Sequence, residues 1–450
     1  MHLLASRYLV IGSTAYRHPS GRILRAAFHT GRARTYLLDT ATADALENPA
    51  AVAELSEEDR SRLVSLGLLV TDGTDEAADV IASGRDAAAG GRERQFVIMP
   101  TAYCNMGCGY CGQTHDRSAG APGTARHREA ICARVTHAAQ SGAYDSVKVR
   151  WFGGEPLMGF AVLRALSLRF TAAADAHGVR YSALVVTNGA LLDDRKLTAL
   201  HRDCRVQQIE ITIDGPQAVH ETSRPLNSGQ GSYHRIIAAL LTVRDNPALN
   251  GLAVTVRTNV GAHNADQATE FATAMRDAGL AHPRITFYPA PVHAWGNDVT
   301  DYQLGLRQAA AAELAWYSAY VDAGLTCALL PSAPRRVVCS ATARNSEVVA
   351  ADGRVYSCTE QPLVSGHSDR YVATVEGLDA SAPRPAGLFD DWYEGLERDE
   401  TGCRRCPILP VCGGACPKLW REGRPPCPPI KANLPGRLDL YARASGLAPV

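Results

Sequence analysis

The chain has little of three things, and each shortage excludes something. It has no charge excess: Lys plus Arg and Asp plus Glu both number 46. Without a basic surplus there is no electrostatic footprint for nucleic acid or an anionic membrane. It has no apolar run approaching the roughly 20 residues that a spanning helix needs. Its start, Met1 to Ile11, is mildly apolar but contains Arg7 and lacks the layout of a signal peptide. The expectation is a cytoplasmic protein with no nucleic-acid or membrane partner. Cysteine, finally, is absent before Cys104, although the 450 residues hold 13 of them. Cytosolic thiols stay reduced, so cysteines crowded into part of a chain point to metal ligation rather than disulfides. An apolar content of 46% with 20% charge is ordinary for a globular protein. The length suits two or three domains.

What is there centres on Cys104-Asn105-Met106-Gly107-Cys108-Gly109-Tyr110-Cys111, a C-x3-C-x2-C loop after the apolar run Phe96-Val97-Ile98-Met99-Pro100. Three thiolates on one short loop can hold three irons of a cubane cluster and leave the fourth open. An open metal position is where chemistry takes place. The rival readings are structural zinc, which normally recruits four ligands in paired C-x2-C units, and plain core cysteines.

From 93 to about 290 the pattern is strand then helix, repeated. Strands are expected at 96–100, 147–152, 181–187, 206–213, 252–258 and 284–288, with helices at 160–176, 232–244 and 265–278. A longer helix is expected at 300–322. Six β/α units argue for an α/β fold, a partial (β/α)6 TIM-like barrel with its site on loops at the C-terminal ends of the strands. Conspicuous residues fall there: Gly153-Gly154-Glu155, Thr187-Asn188-Gly189, Thr212, Asp214, and Arg257 with Asn259. Adjacent glycines let backbone approach a ligand closely. Thr187, Thr212 and Asp214 place hydroxyl and carboxylate groups at the rim, although such residues also serve as turns and caps. Arg224 and Arg257 read either as ligands of a carboxylate or as structural ion-pair partners.

The cysteine loop resembles the signature of the radical S-adenosylmethionine (radical SAM) enzymes, including the aromatic Tyr110 before the third cysteine. The resemblance implies a 4Fe–4S cluster on Cys104, Cys108 and Cys111 whose open iron chelates S-adenosylmethionine. Reductive cleavage then yields a 5′-deoxyadenosyl radical that abstracts hydrogen from a substrate. It also implies that Gly153, Gly154 and Glu155 hold the methionine amino group, with Tyr110, Thr187, Thr212, Asp214 and Arg257 as further cofactor-binding candidates. The tail carries a second signal: Cys339, then Gly353 and Cys358, then Cys403-x2-Cys406-x5-Cys412-x3-Cys416, and Cys427. This order is similar to the SPASM extension of peptide-modifying radical SAM enzymes, a cysteine-rich iron–sulfur domain with two auxiliary 4Fe–4S clusters. By that likeness one auxiliary cluster takes Cys339, Cys358 and Cys416, with Cys327 as candidate fourth ligand, and the other takes Cys403, Cys406, Cys412 and Cys427. Three clusters in all are implied. Zinc is the rival for the tail, and Cys132 and Cys204, outside both patterns, read as buried free thiols.

The N-terminal segment reads as a small α+β module. A hairpin at 23–38 turns at His29-Thr30-Gly31-Arg32, helices follow at 42–46 and 57–66, and a strand at 67–70 closes it. It resembles the winged-helix-like leader-binding modules (RiPP recognition elements), in which a precursor leader adds a strand to the sheet edge; a packing extension is the other reading. The expected layout is 1–71 leader-binding domain, 72–92 linker, 93–326 barrel and 327–450 SPASM domain. The implied activity is that of a radical SAM oxidoreductase maturing a ribosomally made precursor peptide by a C–C, C–S or C–O crosslink or by epimerisation. An electron donor such as ferredoxin or flavodoxin would supply the reductant. Alternatives are a sulfatase-maturase-like or small-molecule enzyme, and a non-enzymatic iron–sulfur electron-transfer or binding protein. Sulfatase-maturing relatives carry an Asp base directly after the cysteine matching Cys358; here Thr359 stands there, which leaves Glu360 as the candidate base.

Overall fold

The computed structural model describes residues 2–115 and 124–450. The chain forms two compact units: Met1–Ala88 with Ala328–Val338 and Asp391–Val450, and Ala89–Cys327 with Cys339–Asp390.

In the first unit, β1 (Leu3–Ala5) pairs antiparallel with β5 (Leu69–Thr71). A second antiparallel sheet joins β2 (Leu9–Arg17), β3 (Ile23–His29) and β4 (Arg34–Asp39). β3 is apolar on both faces because both are covered. Ala27 packs with Leu38, Leu46, Val52 and Leu63 from the following helices. Ala26 and Phe28 pack against Leu434 and Leu438 of the C-terminal helix Ile430–Ala444. The last strand, Ala448–Pro449, pairs with β2. Residues 1–71 are therefore not self-contained; half of their sheet is buried by the end of the chain. The helix Glu57–Ser65 starts where expected, with the Ser56 hydroxyl accepting from the Asp59 amide at 3.0 Å.

The segment 72–92, whose composition reads as a linker with room for some helix, is mostly the helix Glu76–Gly90. Its buried residues Ala77, Ile81, Gly84 and Ala88 recur at helical spacing, a stripe concealed by the alanine, glycine and charge around it. A Cβ on Gly84 would lie 2.5 Å from the Tyr393 ring, so glycine there lets the aromatic close down on the helix.

The second unit is a partial barrel. Its strands are β6 (Glu93–Ile98), β7 (Ser146–Trp151), β8 (Arg180–Thr187), β9 (Val206–Thr212), β10 (Ala253–Val260), β11 (Ile285–Pro291) and β12 (Thr326–Cys327). They run parallel in that order, and all six expected barrel strands are present. The sheet continues past β6 to β13 (Ser346–Val349), which pairs parallel with it, then to the antiparallel β14 (Arg354–Tyr356) and β15 (Ala373–Thr374). The region 327–450, expected as one cysteine-rich domain, is thus divided. Residues 339–390 extend the barrel sheet, and 391–450 belong to the first unit.

One helical stretch, Pro156–Ala176, is long and apolar enough to cross a membrane by length and composition. This corrects the expectation that no such stretch exists. Its buried residues include Leu163, Leu166, Phe170 and Ala174, and Phe170 stacks on Trp151 of β7 at 6.2 Å. A helix that covers a sheet of apolar strands is apolar for that reason.

Candidate functional site

The parallel strands point their C-terminal ends at one cavity of about 340 Å³. Along β7 to β10 buried residues alternate with less buried ones, and the less buried set, including Arg150, Val186, Glu210, Thr212 and Arg257, lines this cavity. Cys104, Cys108 and Cys111 line its upper wall, together with Tyr110, Gly153, Gly154, Thr187 and Glu360.

The cysteine loop is held from three sides. Gly154 sits so close to it that a Cβ would lie 2.5 Å from the Ala102 carbonyl oxygen and 2.6 Å from that of Tyr103. Gly153, at φ 124°, would meet the Thr101 oxygen at 2.7 Å. The two glycines therefore let the β7 loop touch the cysteine loop, and the Glu155 amide donates to the Tyr103 carbonyl at 2.9 Å. On the second side Asn188 donates from Nδ2 to Asn105 Oδ1 at 2.7 Å and approaches Cys104 Sγ at 3.9 Å. On the third, the Tyr110 hydroxyl donates to Asp214 Oδ2 and accepts from Arg224 Nη1 at 2.6 Å and Asn259 Nδ2 at 2.9 Å.

Two expected cofactor contacts do not reach the cavity. Glu155 is fully buried and accepts from the Leu157 amide (2.9 Å), the Thr187 hydroxyl (2.7 Å) and the Asn188 amide (2.7 Å). Its carboxylate is consumed in tying the β7 loop to the β8 loop. Asp214, also fully buried, accepts from Tyr110 and the Asn259 amide, and its own amide donates to His220 Nδ1. Arg224 is a partner of this network, 3.8 Å from Asp214. Arg257 does line the cavity; its Nε donates to Asn259 Oδ1 at 2.8 Å.

The residues present fit an iron–sulfur cluster. Burial drives the Cys104 thiol up to about 12 and the Cys111 thiol up to about 11, whereas Arg224 opposes the same effect of burial on Cys108. Sulfur in such a setting is a thiolate only when a metal takes the proton's place. Among the described residues no three His, Cys, Asp or Glu side chains converge on a single point as a zinc ion requires. The three loop cysteines instead line one cavity together. A second cavity, of about 40 Å³ in the first unit, is lined by Cys403, Cys406, Cys412 and Cys427. Burial pushes Cys412 up to about 12, and Lys431 Nζ lies 3.4 Å from Cys427 Sγ. Cys327, Cys339 and Cys358 belong to the barrel unit and Cys416 to the other. Cys132 and Cys204 are buried free thiols.

Arg150, Glu210, His293, Trp295 and His115 also line the cavity and did not stand out in the sequence. A signal for two of them existed: counting back two residues from Phe152 and Thr212 gives Arg150 and Glu210 on the same strand face.

Residues 98–264 match the Radical SAM superfamily. The chain is 24% identical over 342 residues to the "Serine-type anaerobic sulfatase-maturating enzyme" of Klebsiella pneumoniae, a match spanning 70% of this chain and 79% of that one. The protein of the same description from Klebsiella aerogenes is 23% identical over 339 residues, spanning 70% and 77%. Among solved structures the fold is similar to "Native anSMEcpe with bound AdoMet", with TM-score 0.58, 15% identity, and 78% of this chain and 98% of that one covered. The complex "with bound AdoMet and Cp18Cys peptide" matches with TM-score 0.58 at 14% identity, covering 79% and 98%. Residues 98–264 thus carry a radical SAM domain, and the chain around it is similar in sequence and fold to sulfatase-maturating enzymes of that superfamily. The domain implies one 4Fe–4S cluster and S-adenosylmethionine as cofactors.

Proposed function

We propose that the protein is a radical SAM/SPASM maturase that modifies a ribosomally made precursor peptide. Cys104, Cys108 and Cys111 hold the cluster, and S-adenosylmethionine lies against it in the barrel cavity. When bound, these groups supply one-electron cleavage of a sulfonium and a hydrogen-abstracting radical. The chain's own residues position and shield. Gly153 and Gly154 pin the cysteine loop, Glu155 locks the Thr187–Asn188 turn against it, and the Tyr110–Asp214–Arg224 network fixes the third cysteine. Phe152 and Trp295 wall the interior against water. Cys403, Cys406, Cys412 and Cys427 would hold an auxiliary cluster, and Cys327, Cys339 and Cys358 of the barrel unit are ligand candidates for another. Such clusters, when bound, would supply an electron acceptor or an anchor for the peptide. A small electron-transfer protein of the ferredoxin or flavodoxin type supplies the reductant.

The observation that carries the peptide reading is the edge of the N-terminal sheet. Among the described residues β4 pairs with β3 alone, whereas the opposite edge is closed by the C-terminal strand. Leu37 is exposed on one face of β4, and Tyr36 on the other face packs toward the Leu38 cluster and reaches the Leu66 carbonyl at 3.4 Å. An open edge of this kind suits strand addition by a leader. The solved relative's peptide complex supports the same substrate class.

The product is a crosslink at an unactivated carbon (C–C, C–S or C–O) or an epimerised residue. A sulfatase-maturase-like activity is the second reading, favoured by the Klebsiella relatives. Against it stands Thr359, where those enzymes resemble each other in carrying an aspartate base; Glu360, lining the cavity, is the remaining candidate base. The test is a reconstituted enzyme given dithionite, S-adenosylmethionine and a short peptide encoded beside its gene. Wild type should release 5′-deoxyadenosine and change the peptide's mass or stereochemistry. Cys104→Ala, Cys108→Ala and Cys111→Ala should release none; retained 5′-deoxyadenosine would sink the assignment.

A further inference from the structure

The barrel cavity contains a positive charge that its loops do not use. Arg150 on β7 and Arg257 on β10 both line it. Arg257 has protein partners, with Asn259 at 2.8 Å and the Tyr288 ring 6.0 Å from its guanidinium carbon. Arg150 has none of that kind. Its Nε is buried without a hydrogen-bond partner, and among the described residues its guanidinium forms no ion pair; the Phe152 ring, at 5.9 Å, is its recorded neighbour. The carboxylates facing the same cavity are Glu210 and Glu360. Glu210 shares the surroundings of Arg257 and Tyr288, and Glu360 those of Cys111.

Arg150 is half-buried on the cavity wall, and an Nε buried without a partner is unfavourable, a cost an apolar residue would have avoided. Such a group becomes favourable when an anion enters, because arginine offers carboxylate a planar, bidentate, charge-assisted contact. The cavity, about 340 Å³, is of a size that takes a small ligand or a side chain with its backbone. Arg150 lies on β7 two residues before Phe152, on the same strand face, and takes no part in the hydrogen bonds recorded around Tyr110.

We propose that Arg150 is a specificity residue that receives a carboxylate side chain, aspartate or glutamate, of the peptide substrate. This rests on the peptide-maturase reading. The residue entering the barrel is acidic, or lies next to an acidic one, and Arg257 lines the wall on which it rests.

The probes are three capped or free pentapeptides measured on the reconstituted enzyme with S-adenosylmethionine present. One is acetyl-Gly-Ala-Asp-Ala-Gly-amide, the second its Asn counterpart, and the third Gly-Ala-Asn-Ala-Gly with a free C-terminus. Binding is read by equilibrium dialysis, and S-adenosylmethionine affinity is read separately without peptide. The Asp peptide should bind about tenfold or more tighter than the Asn peptide, the scale of a charge-assisted bond. Arg150→Gln should bring that ratio to about 2 or below, and Arg150→Lys should keep part of it, since it keeps the charge. Equal binding of the Asp and Asn peptides to wild type overturns the carboxylate subsite and leaves the peptide reading intact. Binding of none of them overturns both. Preference for the free C-terminus over internal Asp reassigns the site to a terminal carboxylate and overturns the side-chain proposal. Loss of S-adenosylmethionine affinity in both Arg150 variants, with the Asp preference retained, overturns it by assigning the arginine to the cofactor's carboxylate.

Discussion

Replacing Glu347 by glutamine should loosen the strand pair on which the cysteine loop is built. Glu347 lies on β13 and is fully buried, between Arg94 at 5% and Arg134 at 2% exposure. It accepts from Arg94 Nη2 at 2.6 Å, Arg134 Nε at 2.8 Å and Arg134 Nη2 at 2.6 Å. Arg134 has other acceptors, the carbonyls of Asp379 (2.7 Å) and Ala382 (3.1 Å). Among the described residues Arg94 keeps the face of Phe96, 4.7 Å away. The cost of the substitution therefore falls mainly on Arg94. Breaking a buried pair from one side costs about 3–5 kcal/mol, and glutamine, which retains one acceptor oxygen, belongs at the lower end.

The pH dependence follows from the same geometry. Burial alone would raise the Glu347 carboxyl, but Arg134 and Arg94 outweigh it and hold it below the ordinary range. A depressed carboxyl contributes stability that is present above the unfolded value, about 4.3, and is lost as pH falls through the folded one. The assay is a urea melt at neutral pH and at decreasing pH, with amide exchange followed over 93–98 and 346–349. Glu347→Gln should raise exchange in both segments and flatten the acid limb. The paired change of Glu347 and Arg94 to methionine should recover part of the loss. A loss under about 1 kcal/mol, with exchange unchanged, would refute the reasoning.

Other outcomes are expected elsewhere. Gly154→Ala should cost about 1–3 kcal/mol, as overpacking does, because its methyl group meets two backbone oxygens of the cysteine loop; the thermal midpoint and the iron content after reconstitution would both fall. His220 is fully buried, and burial, then Arg224, lowers it to about 4. Since an unfolded histidine protonates near 6.5, stability should be present above about pH 6.5 and decline as pH falls towards 4, a slope that His220→Gln would reduce in pH-resolved melts. Lys431→Met should lower the midpoint potential of the auxiliary cluster proposed on Cys403, Cys406, Cys412 and Cys427. It removes a positive charge 3.4 Å from a ligand sulfur, and an EPR-monitored redox titration would read the change; an unaltered potential would deny Lys431 any part in tuning.

The barrel was legible because its strands carry strong period-two and apolar signals and its helices carry matching stripes; the helix Phe160–Ala176 coincides with its expected span. The helix Glu76–Gly90 was not, because its buried stripe is mostly alanine and glycine and looks like linker composition. β13 was hidden for another reason. Ser346–Val349 is only four residues long and joins the barrel sheet by pairing with β6, some 250 positions earlier in the chain, and no local pattern encodes a partner so far away. Glu155 and Asp214 were expected to bind the cofactor, and each carboxylate accepts from neighbouring loops instead, because spacing in sequence cannot say whether a carboxylate faces a ligand or a loop.

The sequence alone determined the chemistry available at the cysteine loop. Cysteine spacing within eight residues is a local property, and so is its place after an apolar strand. Tertiary structure decided what each surrounding side chain does. Packing turned Gly154 into a contact with the cysteine loop, enclosed Glu155 among three donors, and left the Arg150 Nε with no hydrogen-bond partner among the described residues. Those roles depend on distances between strands that are remote in sequence, and only the folded sheet sets them.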